Sequence, residues 1–303
     1  MRLLVAGGTG FIGKPLCRFL VQRGHEVLVV TRDTRGHIAK PGLRYLPWDT
    51  SEWQRAIADV HGIINLCGEP IAARPWSEEQ KRRLQESRVQ TTRRLIDAVK
   101  SLSSRKPSLL INASAIGYYG SRGDERLTEQ AVSGPGFLAE ICRSWEAEAK
   151  RAEALGMRVI RLRVGLVVAP GGGALAKMLP PFRAFVGGPV GNGRQWISWI
   201  HRDDVVGLID WLLGRQEISG AVNATAPEPV TMKQFCRELG RALHRPSWMP
   251  VPAPILRLAL GEMAELLLTG QRVIPQVALD GAYPFKFMEL ASAFQASLIE
   301  DGN

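Results

Sequence analysis

Three glycines near the start of the chain constrain its fold more than any other feature. The segment Gly7 to Gly13 has the spacing Gly-x-x-Gly-x-x-Gly and directly follows the apolar run Leu3 to Ala6. The first glycine permits a tight turn, the second lets backbone amides approach a pyrophosphate, and the third lets a helix pack against a strand. The spacing therefore predicts a strand, a phosphate-binding loop and a helix, rather than a turn required by sterics alone. The residues expected at the phosphates are Gly7, Thr9, Gly10, Phe11, Ile12 and Gly13.

The end of the second predicted strand, Val27 to Thr31, indicates which dinucleotide the loop holds. An acidic residue there accepts hydrogen bonds from a ribose 2′-hydroxyl and repels a 2′-phosphate. The chain has Thr31 and Arg32 instead, and Arg32 can pair with a phosphate and stack on adenine, assisted by Arg35. Asp33 is the competing feature, because a register shift of one residue would direct it at the ribose. We expect NADP, with NAD as the alternative.

Short apolar runs alternate with longer helical patterns through most of the chain. The runs lack polar alternation, which is typical of parallel strands covered by helices on both faces. Together these features predict an α/β fold with a Rossmann-type doubly wound parallel sheet. The predicted strands are Leu3 to Ala6, Val27 to Thr31, Ile63 to Leu66, Leu109 to Ala113, Val159 to Val164 and Ala221 to Thr225.

Helix ends are indicated by capping patterns. Ser77 with Gln80, and later Thr231 with Gln234, match the capping box in which two side chains satisfy the first free amides. The expected helices run from Ser77 to about Leu102, from Phe137 to Leu155, from Asp203 to Leu213, and onward from Thr231.

The local composition of the sequence changes after Ala169. Glycine and proline clusters suggest loops and a short helix, and the alternation of strands and helices ends after residue 225. We expect residues 1–225 to form the NADP-binding domain, with residues 169–199 contributing to a substrate cap. Residues 226–303 are expected to form that small, mostly helical C-terminal cap, in which a proline-rich link at 250–254 leads into two final helical segments.

The composition argues against several classes of protein. The net charge is +10, but the densest basic run, residues 81–83, lies among glutamates on a predicted solvated helix face, so no nucleic-acid partner is expected. The cysteines form no Cys-x-x-Cys pair and no two histidines have a metal-ligand spacing, so no metal is expected. Without a leader or an apolar run of the ~20 residues that span a bilayer, we expect a cytoplasmic protein without a membrane partner.

Further motifs resemble the extended short-chain dehydrogenase/reductase superfamily, which includes sugar-nucleotide epimerases and dehydratases. Besides the glycine loop, they are residues 65–68 (Asn-Leu-Cys-Gly), Ser114 and residues 199–205 (Trp-Ile-His-Arg-Asp-Asp-Val). A narrower resemblance is to an atypical branch, the epimerase-family proteins, whose C-terminal domain has no assigned function. It is carried by residues 117–120 (Gly-Tyr-Tyr-Gly), Trp145-Glu146 and residues 270–275 (Gly-Gln-Arg-Val-Ile-Pro).

The resemblance implies cofactor contacts beyond the glycine loop. Asn65 to Gly68 would line the cofactor, with Leu66 and Cys67 near the ribose and the nicotinamide. Arg88 falls where relatives carry an asparagine beneath the cofactor, so it either reaches the pyrophosphate or stays exposed on its helix. Arg163, at the end of a strand, is a second candidate of the same kind.

The chain departs from its relatives at the catalytic step. Catalytically competent relatives carry a Tyr-x-x-x-Lys pair, in which the lysine lowers the tyrosine pKa from about 10 so that it exchanges protons near neutrality. The matching segment, residues 137–142, has neither residue. Ser114 and Tyr118, or Tyr119 beside it, are the candidate substitutes. Alternatively, Ser114 caps its strand and the tyrosines pack beneath the cap.

Two functions fit these features. The first is an NADP(H)-dependent oxidoreductase or epimerase-like enzyme acting on an unidentified small molecule, whose acidic group Arg194 would hold. His201 belongs to a motif that packs a helix against the sheet in relatives, so a structural role is expected for it. The alternative is a non-catalytic protein that senses NADP(H) and changes a partner surface. An interaction scaffold would require an empty glycine loop.

Overall fold

Strands and helices alternate along most of the chain. The computed structural model describes residues 1–103 and 106–301. The first elements are β1 (Arg2–Ala6), α1 (Gly13–Gln22), β2 (Glu26–Thr31), β3 (Leu43–Pro47), α2 (Glu52–Ala56), β4 (Gly62–Asn65), α3 (Glu78–Lys100), β5 (Leu109–Ala115), β6 (Arg126–Leu127), α4 (Phe137–Lys150) and β7 (Arg158–Val164). The later elements are β8 (Leu166–Val168), α5 (Gly173–Arg183), β9 (Trp196–Ile197), β10 (Trp199–His201), α6 (Arg202–Gly214), β11 (Gly220–Ala224), β12 (Val230–Thr231), α7 (Met232–Leu243), α8 (Ala253–Leu260), α9 (Glu265–Leu268), β13 (Arg272–Val273), α10 (Gln276–Asp280) and α11 (Leu290–Asp301).

One seven-stranded sheet organises the fold, with the order β11-β7-β5-β4-β1-β2-β3. Every neighbouring pair in it is parallel, so the carboxyl ends of all seven strands lie at one edge. The strands that follow β1 along the chain lie first on one side of it and then, from β4 onward, on the other. Ligands of open parallel sheets bind at such a switch point. The Rossmann-type doubly wound sheet predicted from the sequence is confirmed.

Helices cover both faces of this sheet, because successive residues of each strand point to opposite sides. Leu3 and Val5 of β1 pack with α1 and α6 on one face, whereas Leu4 and Ala6 pack with α3 and α4 on the other. All four side chains are fully buried. Burial of each leucine or valine stabilises the folded state by about 1.5–3 kcal/mol relative to an exposed side chain. This double burial explains why residues 3–6 of β1 form an unbroken apolar run.

The edge strand β3 was not predicted from the sequence. It pairs with β2 at the margin of the sheet, with Leu43 and Leu46 buried while Arg44 is exposed. An edge strand is not covered on both faces, so it lacks the continuous apolar run that identified the central strands.

Helix ends follow the capping patterns in part. The Thr231 and Gln234 side chains form the complete reciprocal box at the start of α7. At α3, the Ser77 hydroxyl accepts the Gln80 N–H at 3.2 Å, but the Gln80 side chain donates to Glu69 instead, so only half of that box forms. α4 is shorter than predicted, because its last predicted residues form a separate 3₁₀ turn.

The later part of the chain builds an apolar core of its own. Leu179 of α5, Phe235 of α7, Phe294 of α11 and Trp199 of β10 share one buried cluster. The prediction of two final helical segments was wrong, since α8 to α11 are four helices and β13 pairs with β6. Gly261, with a φ of +56°, ends α8 and separates it from α9. In the described residues, no helix combines the length and the apolar character needed to cross a bilayer.

Candidate functional site

The glycine loop joins β1 to α1 at the switch point of the sheet. Gly7 has a φ of +81°, and Gly10 donates its N–H to the Gly7 carbonyl at 3.1 Å. A β-carbon on Gly13 would lie 2.2 Å from the Gly7 oxygen, and one on Gly7 would lie 2.8 Å from the Leu66 carbonyl carbon. The loop is therefore packed tightly against α1 and the end of β4.

Gly10 is different, because the fold leaves space beside it. A β-carbon there would meet one atom within 4 Å, the Gly7 oxygen at 3.3 Å, and the residue is exposed. Beside it, the backbone N–H groups of Phe11, Ile12 and Gly13 have no acceptor anywhere in the described chain. α1 also has no capping side chain and no acid in its first turn. These amides and the positive end of the helix suit a pyrophosphate.

A second glycine-rich segment covers this loop. β-carbons on Gly172 and Gly173 would lie 2.7 and 3.0 Å from the Phe11 ring, so this segment packs directly on the loop. From α5, Lys177 donates to the Ala72 carbonyl in the loop after β4. Residues 172–177 thus contact both the glycine loop and the loop after β4.

The turn after β2 carries the residues expected at the adenosine end. Arg32 is exposed and has no hydrogen-bond or ion-pair partner among the residues described. Asp33, the competing acid, has both carboxylate oxygens occupied by Arg35. The Thr31 hydroxyl donates to the Asp33 carbonyl at 3.1 Å and fixes the turn. Of the charged groups in this turn, the Arg32 guanidinium is therefore the one without a hydrogen-bond or ion-pair partner in the described chain.

A buried amide holds the loop that begins at Leu66. The Asn65 side chain donates to Asn112 at 2.7 Å and to Thr92 at 2.9 Å, and its oxygen accepts the Cys67 N–H at 3.2 Å. Thr92 and Asn112 were missed by the sequence analysis, because they lie on α3 and β5 and carry no local motif. Their role is to fix the backbone of residues 66–68.

Arg88 supports the same loop from beneath. Its guanidinium donates to the Leu84 carbonyl at 2.8 Å and to the Glu69 carbonyl at 3.0 Å. A β-carbon on Gly68 would lie 3.2 Å from the guanidinium carbon, and the Trp145 ring lies on its other side at 5.3 Å. Burial lowers the pKa of Arg88. Arg88 is thus not an exposed helix arginine, and it positions the backbone at Gly68.

Ser114 and Arg163 meet at a buried carboxylate, Glu146 of α4. The Ser114 hydroxyl donates to Glu146 at 2.7 Å, and Arg163 binds both oxygens of the same carboxylate at 2.8 and 2.9 Å. Arg163 is only 2% exposed. The expectation for Arg163 is corrected accordingly: its guanidinium is spent within the protein and is not directed at a cofactor. Glu146 was recognised only as part of a motif, because its partners are distant in sequence.

The two neighbouring tyrosines have different environments. The Tyr119 hydroxyl donates to Asn223 at 2.7 Å and accepts from Arg163 at 2.9 Å. Burial raises the pKa of Tyr119 to about 12, although Arg163 opposes this shift. Tyr118 is partly exposed, with the Arg163 guanidinium 3.5 Å from its ring centre, and its hydroxyl has no partner among residues 1–103 and 106–301. Tyr118 is the candidate whose phenol is available.

The C-terminal region reaches this network through Glu129 and Asn223. The Glu129 carboxylate accepts the N–H groups of Asn223 at 3.0 Å and Gln276 at 3.1 Å, and the Asn223 side chain donates to the Ile274 carbonyl at 2.9 Å. Burial raises the pKa of Glu129. The end of β11 is thereby tied to the start of α10.

Arg194 and His201 occupy contrasting positions. Arg194 is exposed, and within the described chain its guanidinium has no partner. His201 is buried and caps α6, accepting the Asp203 N–H at 3.2 Å, so its structural role is confirmed. Burial lowers the pKa of His201 to about 4. No cluster of three or more His, Cys, Asp or Glu side chains suited to a metal occurs in the part of the chain that the structure describes.

Comparison with known proteins agrees with this geometry. Residues 3–224 match the model of the NAD dependent epimerase/dehydratase family. The chain belongs to this family. Residues 251–297 match a domain of unknown function (DUF1731), as the narrower resemblance to the epimerase-family branch implied.

Individual members of the family resemble the chain over nearly its whole length. The "Epimerase family protein SDR39U1 homolog, chloroplastic" of Arabidopsis thaliana is 39% identical, over 98% of this chain and 86% of the relative. The "Epimerase family protein YfhF" of Bacillus subtilis is 36% identical over 99% of both chains. The crystal structure of the human epimerase family protein SDR39U1 (isoform2) with NADPH has a TM-score of 0.87 at 33% identity, covering 98% of this chain and 99% of that one.

Proposed function

We propose that this family member is an NADP(H)-dependent oxidoreductase or epimerase-like enzyme that acts on a small molecule beside the glycine loop. One observation carries the proposal: the fold leaves Gly10 open, beside three backbone amides that have no acceptor among the described residues. A pyrophosphate would use both features, because it needs N–H donors and a close approach to the backbone. The residues proposed around the cofactor are Gly7, Thr9, Gly10, Phe11, Ile12, Gly13, Thr31, Arg32, Leu66, Cys67 and Gly68.

Arg32 is proposed to bind the 2′-phosphate that distinguishes NADP from NAD. Its exposed, unpaired guanidinium supports this assignment within the described residues, as does the occupied carboxylate of Asp33. The human relative, at 33% identity, was crystallised with NADPH, which supports the same choice.

The chain must also supply a proton. Bound NADPH supplies a hydride from C4 of its nicotinamide ring. Ser114 and Tyr119 are poor proton donors for a substrate, because their hydroxyl protons go to Glu146 and Asn223. We propose Tyr118 for this step, since its side chain is partly exposed and its hydroxyl has no partner in the described chain. Arg194, exposed and unpaired in the described chain, is proposed to hold an acidic group of the substrate.

Nucleotide titrations test the proposal first. Protein freed of carried-over nucleotide is titrated with NADPH and NADH while fluorescence is followed, and tighter binding of NADPH is expected. Absence of binding to either nucleotide would overturn the proposal. Turnover is then sought with ketones, enals and sugar nucleotides by following NADPH absorbance. Tyr118→Phe should bind NADPH normally but reduce substrate more slowly, and equal turnover by this variant would exclude Tyr118.

A second candidate function is NADP(H) sensing without catalysis. The commitment of Ser114 and Tyr119 to buried partners favours it, as does the hydrogen-bonded path from Arg163 through Tyr119 and Asn223 to Ile274. A sensor should show no turnover with any panel, while NADPH changes the hydrogen exchange of residues 272–280. Turnover without such a change would exclude the sensor.

A further inference from the structure

We infer that Arg35 sets the preference for NADP(H) over NAD(H) by occupying Asp33, and that it acts through this carboxylate rather than by touching the nucleotide. The inference rests on the proposed function, because it requires the adenosine end of the cofactor to lie at the end of β2. It changes the sequence-based expectation, in which Arg35 assists Arg32 at the phosphate directly.

The geometry is that of a closed fork. Arg35 donates its backbone N–H to Asp33 Oδ1 at 2.9 Å and its Nε to the same oxygen at 3.0 Å, while its Nη2 donates to Oδ2 at 2.9 Å. Three hydrogen bonds from one residue therefore engage both carboxylate oxygens. This two-point pairing is specific to the planar guanidinium, and lysine cannot reproduce it. The hydrogen bond from the Thr31 hydroxyl to the Asp33 carbonyl keeps the turn in place.

A carboxylate in this turn has two effects on cofactor choice when it is free. It accepts hydrogen bonds from the ribose hydroxyls of NAD, and its charge repels the 2′-phosphate of NADP. In the closed fork, the carboxylate oxygens are directed at Arg35 and the two charges cancel. Loss of Arg35 would therefore release, beside Arg32, a carboxylate that can accept from the ribose hydroxyls and repel the 2′-phosphate.

Asp33 is ionised at neutral pH whether or not it is paired with Arg35. The hydrogen bonds from Arg35 hold the pKa of Asp33 below its usual value, which is already far below neutrality, so Asp33 is ionised at neutral pH with or without Arg35. The Arg35 side chain is 91% exposed and that of Asp33 is 54% exposed. Both can be replaced without opening the core, so binding changes in the variants report on the turn itself.

The experiment is a double-mutant cycle read with two nucleotides. The dissociation constants of NADPH and NADH are measured for the wild type, Arg35→Met, Asp33→Asn and the double variant. Arg35→Met should raise the dissociation constant of NADPH by about fivefold, which is the scale of one exposed charge interaction. The dissociation constant of NADH should stay the same or fall. In the Asp33→Asn background, the same replacement should change NADPH binding by less than about twofold, because no carboxylate remains to be released.

Arg237→Met is the matched control. Arg237 of α7 is an exposed arginine that pairs with Glu238 at 3.3 Å, so its loss removes the same charge from the chain at another place. It should leave both dissociation constants unchanged.

The outcomes separate this inference from the proposed function. If wild-type protein binds neither nucleotide, the proposed function fails and this inference fails with it. If NADPH binds but Arg35→Met weakens it equally with Asp33 and with Asn at that position, Arg35 touches the nucleotide directly and only this inference is overturned. Equal weakening of NADPH and NADH also overturns it, because the effect is then not one of specificity.

Discussion

Alanine at Gly10 should separate nucleotide binding from folding, whereas alanine at Gly13 should damage the fold. At Gly10, the new methyl group meets only the Gly7 oxygen, at 3.3 Å, so a small strain opposes the gain from a stiffer unfolded chain. The free energy of unfolding should stay within about 1 kcal/mol of the wild type. At Gly13, the methyl group would lie 2.2 Å from the Gly7 oxygen and 2.6 Å from the Gly8 α-carbon, which are backbone atoms that cannot rotate away. A loss of about 1–3 kcal/mol or more is expected.

Gly10→Ala should nevertheless weaken the binding of NADPH. The Gly10 methyl group would occupy the side from which we propose that a pyrophosphate approaches, so one charge-assisted hydrogen bond should be lost. At about 1.5–3 kcal/mol for such a bond, the dissociation constant of NADPH should rise by about 10- to 150-fold. Gly214→Ala is the control, since a β-carbon there meets nothing within 4 Å. Urea unfolding and NADPH titration give the two quantities. A stable Gly10→Ala protein that binds NADPH within twofold of the wild type would refute the role assigned to these amides.

Three further predictions follow from single side chains. Arg32→Ala should weaken NADPH much more than NADH in fluorescence titrations, and equal losses would contradict its assignment to the 2′-phosphate. Arg163→Met leaves the buried Glu146 with the longer contact to Arg161, at 3.4 Å, so urea unfolding should show a loss of about 3 kcal/mol that Glu146→Gln partly restores, and an unchanged stability would exclude the buried pair. The pKa of His201 is lowered to about 4 in the folded protein, so the unfolded chain binds the proton more strongly. Stability should therefore fall as pH drops from about 6.5 towards 4, and His201→Asn should remove that part of the pH dependence in urea unfolding.

The cofactor loop could be predicted because its determinants are local. A buried strand, three spaced glycines and the start of a helix occupy the twelve consecutive residues from Arg2 to Gly13, and each acts on its immediate neighbours. The central strands were also readable, since burial on both faces favours apolar residues at most positions. β3 was missed because an edge position does not impose that requirement.

The polar residues around the site could not be assigned in the same way. Arg163 reads as the end of a strand, but its charge is spent on Glu146, seventeen residues earlier on another element. The same holds for Asn65, whose partners Thr92 and Asn112 come from α3 and β5. A side chain that ends a strand can point to a cofactor or into the protein, and only the packed neighbours decide which.

By itself, the sequence determined the Rossmann sheet, the glycine loop and the family, because short-range sterics and burial act between residues that are close in the chain. The tertiary structure alone decided that Arg163 is structural and that Tyr118 keeps a free hydroxyl in the described chain. These outcomes depend on which hydrogen-bond donors and acceptors meet after folding. Electrostatic pairing is set by distances in space, and these are not encoded in residue spacing.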